Sequence, residues 1–310
     1  MVTDAKIKGL LPWFGGKRTL APAIVKELGK HTQYFEPFCG SMAVLMAKEP
    51  SQKETVNDLH GDLVNLARVV QNRFSAEDLY DRLSRSIMSE DLLEQAQSIL
   101  DDNFHIPTIG ITDAMVDRAF WYFVASWMGR NGTAGTRRSD YQIAVRWTKN
   151  GGSPTVRFSN AAGSIPGWHE RLRNVVILSR DAFNIVGKFE DVLGTAIYCD
   201  PPYLMSTRSG QRQSNTSRYL HDIDGMEKHQ QLAQVLRGYK NARIVVSYYD
   251  CLEIRELYEG WTFLEKTMHK NLHAPNKRAT VSAKVAPEVL IINGPSYSEL
   301  SDLFVTENDE

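Results

Sequence analysis

Hydrophobic and polar positions follow different rhythms along the chain, and the changes of rhythm divide it into three stretches. Near the start, Gln33-Tyr-Phe-Glu-Pro-Phe38 and Glu54-Thr-Val-Asn-Asp58 read as short strands. Helical spacing surrounds them, over Thr19 to Leu28, Ser41 to Ala47 and Asp62 to Val70. Strand and helix in alternation predict βαβ units and a mainly parallel sheet. From about 73 the apolar period becomes helical throughout. Ser75-Ala-Glu-Asp predicts a capped helix carrying Leu79, Leu83 and Ile87, and a second helical stretch runs to about Leu100. Thr112 caps a third, in which Val116, Phe120, Phe123, Val124 and Trp127 recur on one face before Gly129. That stripe reads as core rather than as a base-stacking surface. Beyond about 165 the alternating rhythm returns. Val175 to Leu178, Thr195 to Cys199 and Arg243 to Ser247 read as buried strands, with helices at about 226–238 and 251–258. Trp261 to Met268 and Glu288 to Asn293 complete a strand pair with an antiparallel edge, and the acidic end, 306–310, reads as frayed. The expectation is an α/β sheet domain in two parts, 1–72 and 166–310, with a largely helical insert, 73–165.

Composition narrows the class without changing that picture. The 310 residues are 42% hydrophobic and 24% charged, as in globular proteins. No apolar run approaches membrane-spanning length, and the N-terminus lacks a signal peptide's basic and apolar regions, so a soluble, cytosolic protein is the default. Cys39, Cys199 and Cys251 are far apart and show no metal-ligand spacing, which predicts reduced thiols and neither disulfide nor zinc site. With a net charge of −1, any polyanion must be met by a local patch. Residues 130–173 are the candidate, with eight Lys/Arg against two acids. Their glycines and arginines suit phosphate contact, while a solvated surface loop is the plainer reading.

Three motifs carry chemistry. Asp200-Pro201-Pro202-Tyr203 follows a buried strand and describes a rigid loop at a sheet edge. It presents a carboxylate, a backbone carbonyl and a flat ring, which suits the exocyclic amino group of a nucleobase. Glu36-Pro-Phe-Cys-Gly40 lies between a strand and a helix, where α/β sheets bind nucleoside cofactors. Gly40 permits close backbone approach, and Asp58, ending the next strand, can grip ribose hydroxyls. No GxGxxG occurs, which counts against a dinucleotide. Pro12-Trp13-Phe14-Gly15-Gly16-Lys17 lacks phosphate-loop spacing. It reads either as a tight turn with a snorkelling lysine or as a cofactor wall in which Lys17 meets a carboxylate.

Read in order, these motifs with Val56-Asn-Asp-Leu-His-Gly-Asp62 and the long insert resemble the Dam-type DNA adenine-N6 methyltransferases. The motif order is similar to that of the family's α class, and phage and prophage members are nearest in style. The resemblance implies a class I, Rossmann-like S-adenosylmethionine-dependent methyltransferase sheet with a target recognition insert. Trp13, Gly16 and Lys17 match its N-terminal cofactor motif, Glu36, Phe38 and Gly40 its cofactor loop, and Asp58 its ribose-binding acid. Asp181, with Ala182, matches the segment flanking the cofactor's adenine, and Asp200 to Tyr203 match the catalytic loop, with Asp200 also beside the cofactor. One departure is Ser41-Met42, where many members carry a second glycine.

The resemblance implies double-stranded DNA as partner, with the target adenine flipped out of the duplex. Arg130, Asn131, Arg137 and Arg138 are the candidate DNA contacts. It implies no metal, no membrane and no obligate protein partner, in the cytoplasm of a bacterial or phage-infected cell. An RNA adenine methyltransferase and a non-catalytic relative that binds DNA or cofactor remain as rival readings; a nicotinamide dehydrogenase is disfavoured.

Overall fold

Successive residues of the central strands go to opposite faces of one sheet, and each face carries its own hydrophobic core. Tyr34, Ala196, Tyr198, Val245 and Leu290 enter one core; Phe35, Ile197, Cys199, Val246 and Ile291 enter the other. A strand buried on both faces must be apolar throughout, which is why these segments read as unbroken runs. The computed structural model describes residues 7–13, 15–100, 110–129, 142–145, 152–204, 223, 225–266 and 287–299.

Seven strands form the sheet: β1 (Gln33–Glu36), β2 (Lys53–Asn57), β3 (Val176–Leu178), β4 (Thr195–Cys199), β5 (Arg243–Tyr249), β6 (Thr262–Lys266) and β7 (Glu288–Ile292). Their order is β3-β2-β1-β4-β5-β7-β6. The first five are mutually parallel, and β7 runs antiparallel to both β5 and β6. The expected α/β class and the final antiparallel pair are therefore present. The reversed strand is not the edge, however; β6 is. The strand order reverses between β1 and β4, and a crevice opens there beyond the carboxyl ends of the strands.

Helices α1 (Ala21–Leu28), α2 (Ala43–Ala47), α3 (Gly61–Gln71), α4 (Arg73–Ser84), α5 (Glu90–Leu100), α6 (Asp113–Met128), α7 (Pro154–Ala162) and α8 (Ile165–Leu172) contribute to the first core. Helices α9 (Met226–Gly238) and α10 (Leu252–Leu257) cover the second. The middle stretch packs tightly on the sheet layer: Leu79, Phe123 and Phe158 share a core with Leu63, Val70 and Trp168. Arg118 of α6 ties it further to α3, donating to Asp62 at 2.7 Å. No helix among the described residues is long and apolar enough to cross a membrane.

Two local expectations need correction. Helix α4 starts at Arg73, because the Asn72 side chain accepts from the backbone N–H groups of Phe74 and Ser75. Ser75 instead donates its hydroxyl to the Val69 carbonyl at 2.7 Å, and Ile87 falls beyond the helix, 80% exposed. The second concerns 152–173, read from sequence as part of a basic loop. It contains α7 and α8, the former started by the Ser153 cap and Pro154 in its first turn. Part of its positive charge is committed internally: Arg171 bonds the buried Glu54 carboxylate and the Leu45 carbonyl.

Candidate active site

The crevice at the switch point is lined by the exits of four strands. β1 ends in Glu36, β2 in Asn57 with Asp58 behind it, β3 is followed by Arg180 and Asp181, and β4 by Asp200. Trp13, Gly16, Lys17, Glu36, Phe38, Gly40, Asp58, Asp181 and Asp200, expected on the cofactor side, all line this one cleft. So do His60, Phe183, Ile223 and Lys228, which sequence reasoning did not single out.

The loop after β1 is shaped by two left-handed residues. Gly40 has φ of +45°, and a Cβ there would lie 2.9 Å from Nε1 of Trp13. The indole thus closes over the glycine and lies edge-on to His60, ring centroids 5.5 Å apart. Met42 has φ of 59°, the one left-handed non-glycine among the described residues. The loop thus makes a glycine-like turn within Ser41-Met42, the pair at which the resemblance would lead one to expect a second glycine. The fully buried methionine side chain offsets the strain, of about 1–2 kcal/mol.

Four carboxylates face or edge the cleft. Asp58 accepts from the backbone N–H groups of Gly40 at 2.8 Å and His60 at 2.9 Å, and so braces the β1 loop from β2. Burial raises its pKa, and those two donors oppose the rise. Asn57, unremarked in the sequence, stitches three strand exits: its amide donates to the carbonyls of Pro37 and Arg180 and accepts from Arg180 N–H. Asp181 caps the short turn 182–184 by accepting from Phe183 N–H at 3.0 Å. Glu36 is 2% exposed and accepts from the Tyr34 hydroxyl at 2.9 Å. Burial pushes its carboxyl up to about 8.

Asp200, like Asp58, is held through both carboxylate oxygens. Its Oδ2 pairs with Lys17 Nζ at 2.9 Å, and its Oδ1 accepts from the Ser247 hydroxyl at 2.8 Å. Burial raises its pKa against the pull of Lys17. Lys17 also donates to the Gly15 carbonyl and pairs with Glu288 at 3.2 Å, so the carboxylates it meets are the chain's own. Pro201 and Tyr203 are buried, and Pro202 lines the cleft. The Tyr203 ring lies edge-on to Tyr249, centroids 4.7 Å apart, with Lys17 5.0 Å from its centre. Tyr248, by contrast, turns into the core and bonds His229. Arg130, Asn131, Arg137 and Arg138 lie outside the described residues.

A Rossmann-like sheet with an acid-lined cleft at its switch point, and an Asp-Pro-Pro-Tyr loop on the rim, has the architecture of an α/β methyltransferase. The chain belongs to the D12 class N6 adenine-specific DNA methyltransferases, whose family model matches residues 13–273. The retron Ec67 DNA adenine methylase of Escherichia coli is 29% identical over 303 residues, covering 92% of this chain and 91% of that protein. The DNA adenine methylase of Escherichia coli strain K12 is 22% identical over 258 residues, covering 82% and 85%. A solved rRNA methyltransferase, AviRa from Streptomyces viridochromogenes, covers 92% of this chain and 87% of its own at 11% identity. The TM-score of that superposition is 0.32. The protein is an enzyme that methylates adenine in DNA, and the RNA reading gains no support.

Proposed function

We propose that the cleft binds S-adenosylmethionine and that the Asp200 loop receives an adenine flipped from duplex DNA, with 73–165 serving target recognition. The residues fit such a donor. Asp58 and Asp181 place carboxylates along the cleft that can accept from hydroxyl or ammonium donors, and Glu36, its carboxyl pushed up by burial, adds a further polar group there. Gly40 and Trp13 leave a flat wall, and Phe38 meets Phe183 edge-on at 6.2 Å where an adenine ring would need apolar neighbours. Trp13, Gly16, Lys17, Glu36, Phe38, Gly40, Asp58, Asp181 and Asp200 would hold the donor, which supplies an electrophilic methyl group when bound.

The chain's own contribution is positioning and electrostatics. The Asp200 carboxylate and the Pro201 carbonyl accept the two N6 hydrogens of the adenine. This fixes the amino group and weakens its conjugation with the ring, so its lone pair becomes available. Pro202 stiffens the loop, and Tyr203 provides the aromatic surface against the base. The observation that carries this reading is Asp200 itself: a half-buried carboxylate at the cleft rim, oriented through both oxygens. Sites in 130–138 would contact the phosphates, and the cytoplasm is the place of action.

The test is transfer of labelled methyl groups to duplex DNA, followed by identification of the modified base. Asp200→Ala is expected to lower turnover by roughly 100-fold or more while the melting temperature stays near wild type. Near-normal turnover in that variant would sink the role given to Asp200.

A further inference from the structure

Glu288 opens a strand whose other four residues, Val-Leu-Ile-Ile, are apolar and fully buried. A charged group in that setting needs partners, and β7's direction supplies them. The parallel strands bring their last residues to the cleft edge. Because β7 runs the other way, it brings its first residue there, in register with Tyr249 at the end of β5. The side chain of Glu288, 10% exposed, accepts from the Tyr203 hydroxyl at 2.5 Å and pairs with Lys17. Tyr203 is thus held at two points: its ring edge-on to Tyr249 and its hydroxyl on Glu288. Both anchors stand on adjacent strands, so the ring plane is set by the rigid sheet rather than by the loop that carries it.

We infer that Glu288 is a positioning residue for the methyl transfer, fixing the plane of Tyr203 and anchoring the Lys17 ammonium that meets Asp200. This rests on the role proposed for Tyr203. Glu288 touches neither base nor donor; it acts through the tyrosine ring and the lysine. Three segments remote in sequence, around residues 17, 203 and 288, meet in this arrangement.

The test is a double-mutant cycle between Glu288→Ala and Tyr203→Phe. It is read by turnover on duplex DNA and by 2-aminopurine fluorescence at the target adenine, whose position is first mapped by sequencing modified bases. Each single change is expected to lower turnover by roughly 10- to 100-fold and to reduce the fluorescence rise on binding. The double variant should be no worse than the worse single one, because both remove the same hydrogen bond. Glu288→Gln, which keeps an acceptor, should recover part of the fluorescence rise. Losses that multiply in the double variant, or near wild-type turnover in Glu288→Ala, would overturn the inference. Should Glu288→Ala not fold, Glu288→Leu, of closer volume and without an acceptor, enters the cycle under the same criteria. A wild-type enzyme that modifies no adenine would instead defeat the proposed function, so the two failures are distinguishable.

Discussion

Ser247 on β5 donates its hydroxyl to Asp200 Oδ1 at 2.8 Å, and strand register brings the two together. Cys199 pairs with Val246, so the next residue of each strand meets at the carboxyl edge of the sheet. Ser247 is fully buried and bonded to the Tyr198 hydroxyl at 2.9 Å, which fixes its own rotamer. With Lys17 on the other oxygen, Asp200 is oriented before any ligand arrives. Such preorganisation avoids a reorganisation cost during reaction.

Ser247→Ala should therefore change the pH dependence as well as the rate. Burial raises the Asp200 carboxyl, and Lys17 and Ser247 hold it down. Losing the serine donor raises it further, so the acid limb of the kcat/KM profile should move to higher pH. Turnover at the optimum should fall roughly 10-fold, the worth of one hydrogen bond to a charged group. An unmoved acid limb would show that Ser247 does not tune this carboxylate.

Gly40→Ala probes the wall of the donor site. The left-handed backbone and the Trp13 indole nitrogen, 2.9 Å from the new methyl group, leave it no room. The indole must shift, and the backbone strain costs about 1 kcal/mol in addition. Calorimetric titration with S-adenosylmethionine should show affinity weakened at least about 10-fold, with the fold retained by circular dichroism. Affinity within twofold of wild type would remove Trp13 and Gly40 from the binding surface.

Glu36 links stability to pH. Its folded pKa, about 8, lies above its ordinary value of 4.5, so between those limits the folded state holds a proton that the unfolded state has released. Stability from this group is full below pH 4.5 and is lost as pH rises toward 8. Glu27 and Glu54, whose pKa values are lowered by their donors, act in the opposite sense, losing their contribution on acidification. The informative quantity is thus a difference. Urea unfolding of wild type and Glu36→Gln from pH 5 to 8 should show the variant gaining relative stability as pH rises, and parallel curves would refute a protonated Glu36.

Much of this arrangement was legible in the chain. β1, β4 and β5 are buried on both faces and leave little choice of residue, so their ends, and with them Glu36 and Asp200, could be located. Helix α4 began earlier than read because Asn72 and Ser75 both suit a cap, and only packing decides between them. Helices α7 and α8 were hidden by a basic, glycine-flanked composition that resembles a loop. Glu288 was out of reach for a different reason. An acid beginning an apolar strand signals something, but its meaning depends on the reversed direction of β7, a long-range property of the sheet. Ser247 likewise acquires its role from register, which one-dimensional patterning does not specify.

DNA contact is the remaining prediction, and it concerns residues outside the described parts of the fold. Arg171 of the basic stretch is committed to the buried Glu54, whereas Arg173 makes a surface pair with Glu170. Arg137 and Arg138 are the phosphate-contact candidates that the sequence offers. Each phosphate neutralised releases counterions, giving a slope of about −0.9 per contact in log K against log salt for duplex DNA. Replacing both arginines by alanine should weaken binding most at low salt and reduce the slope by about 2. The loss should be similar for specific and nonspecific duplexes, since phosphate contacts carry no base information. Fluorescence anisotropy across a salt series measures both quantities. An unchanged slope would mean that these arginines do not reach the backbone.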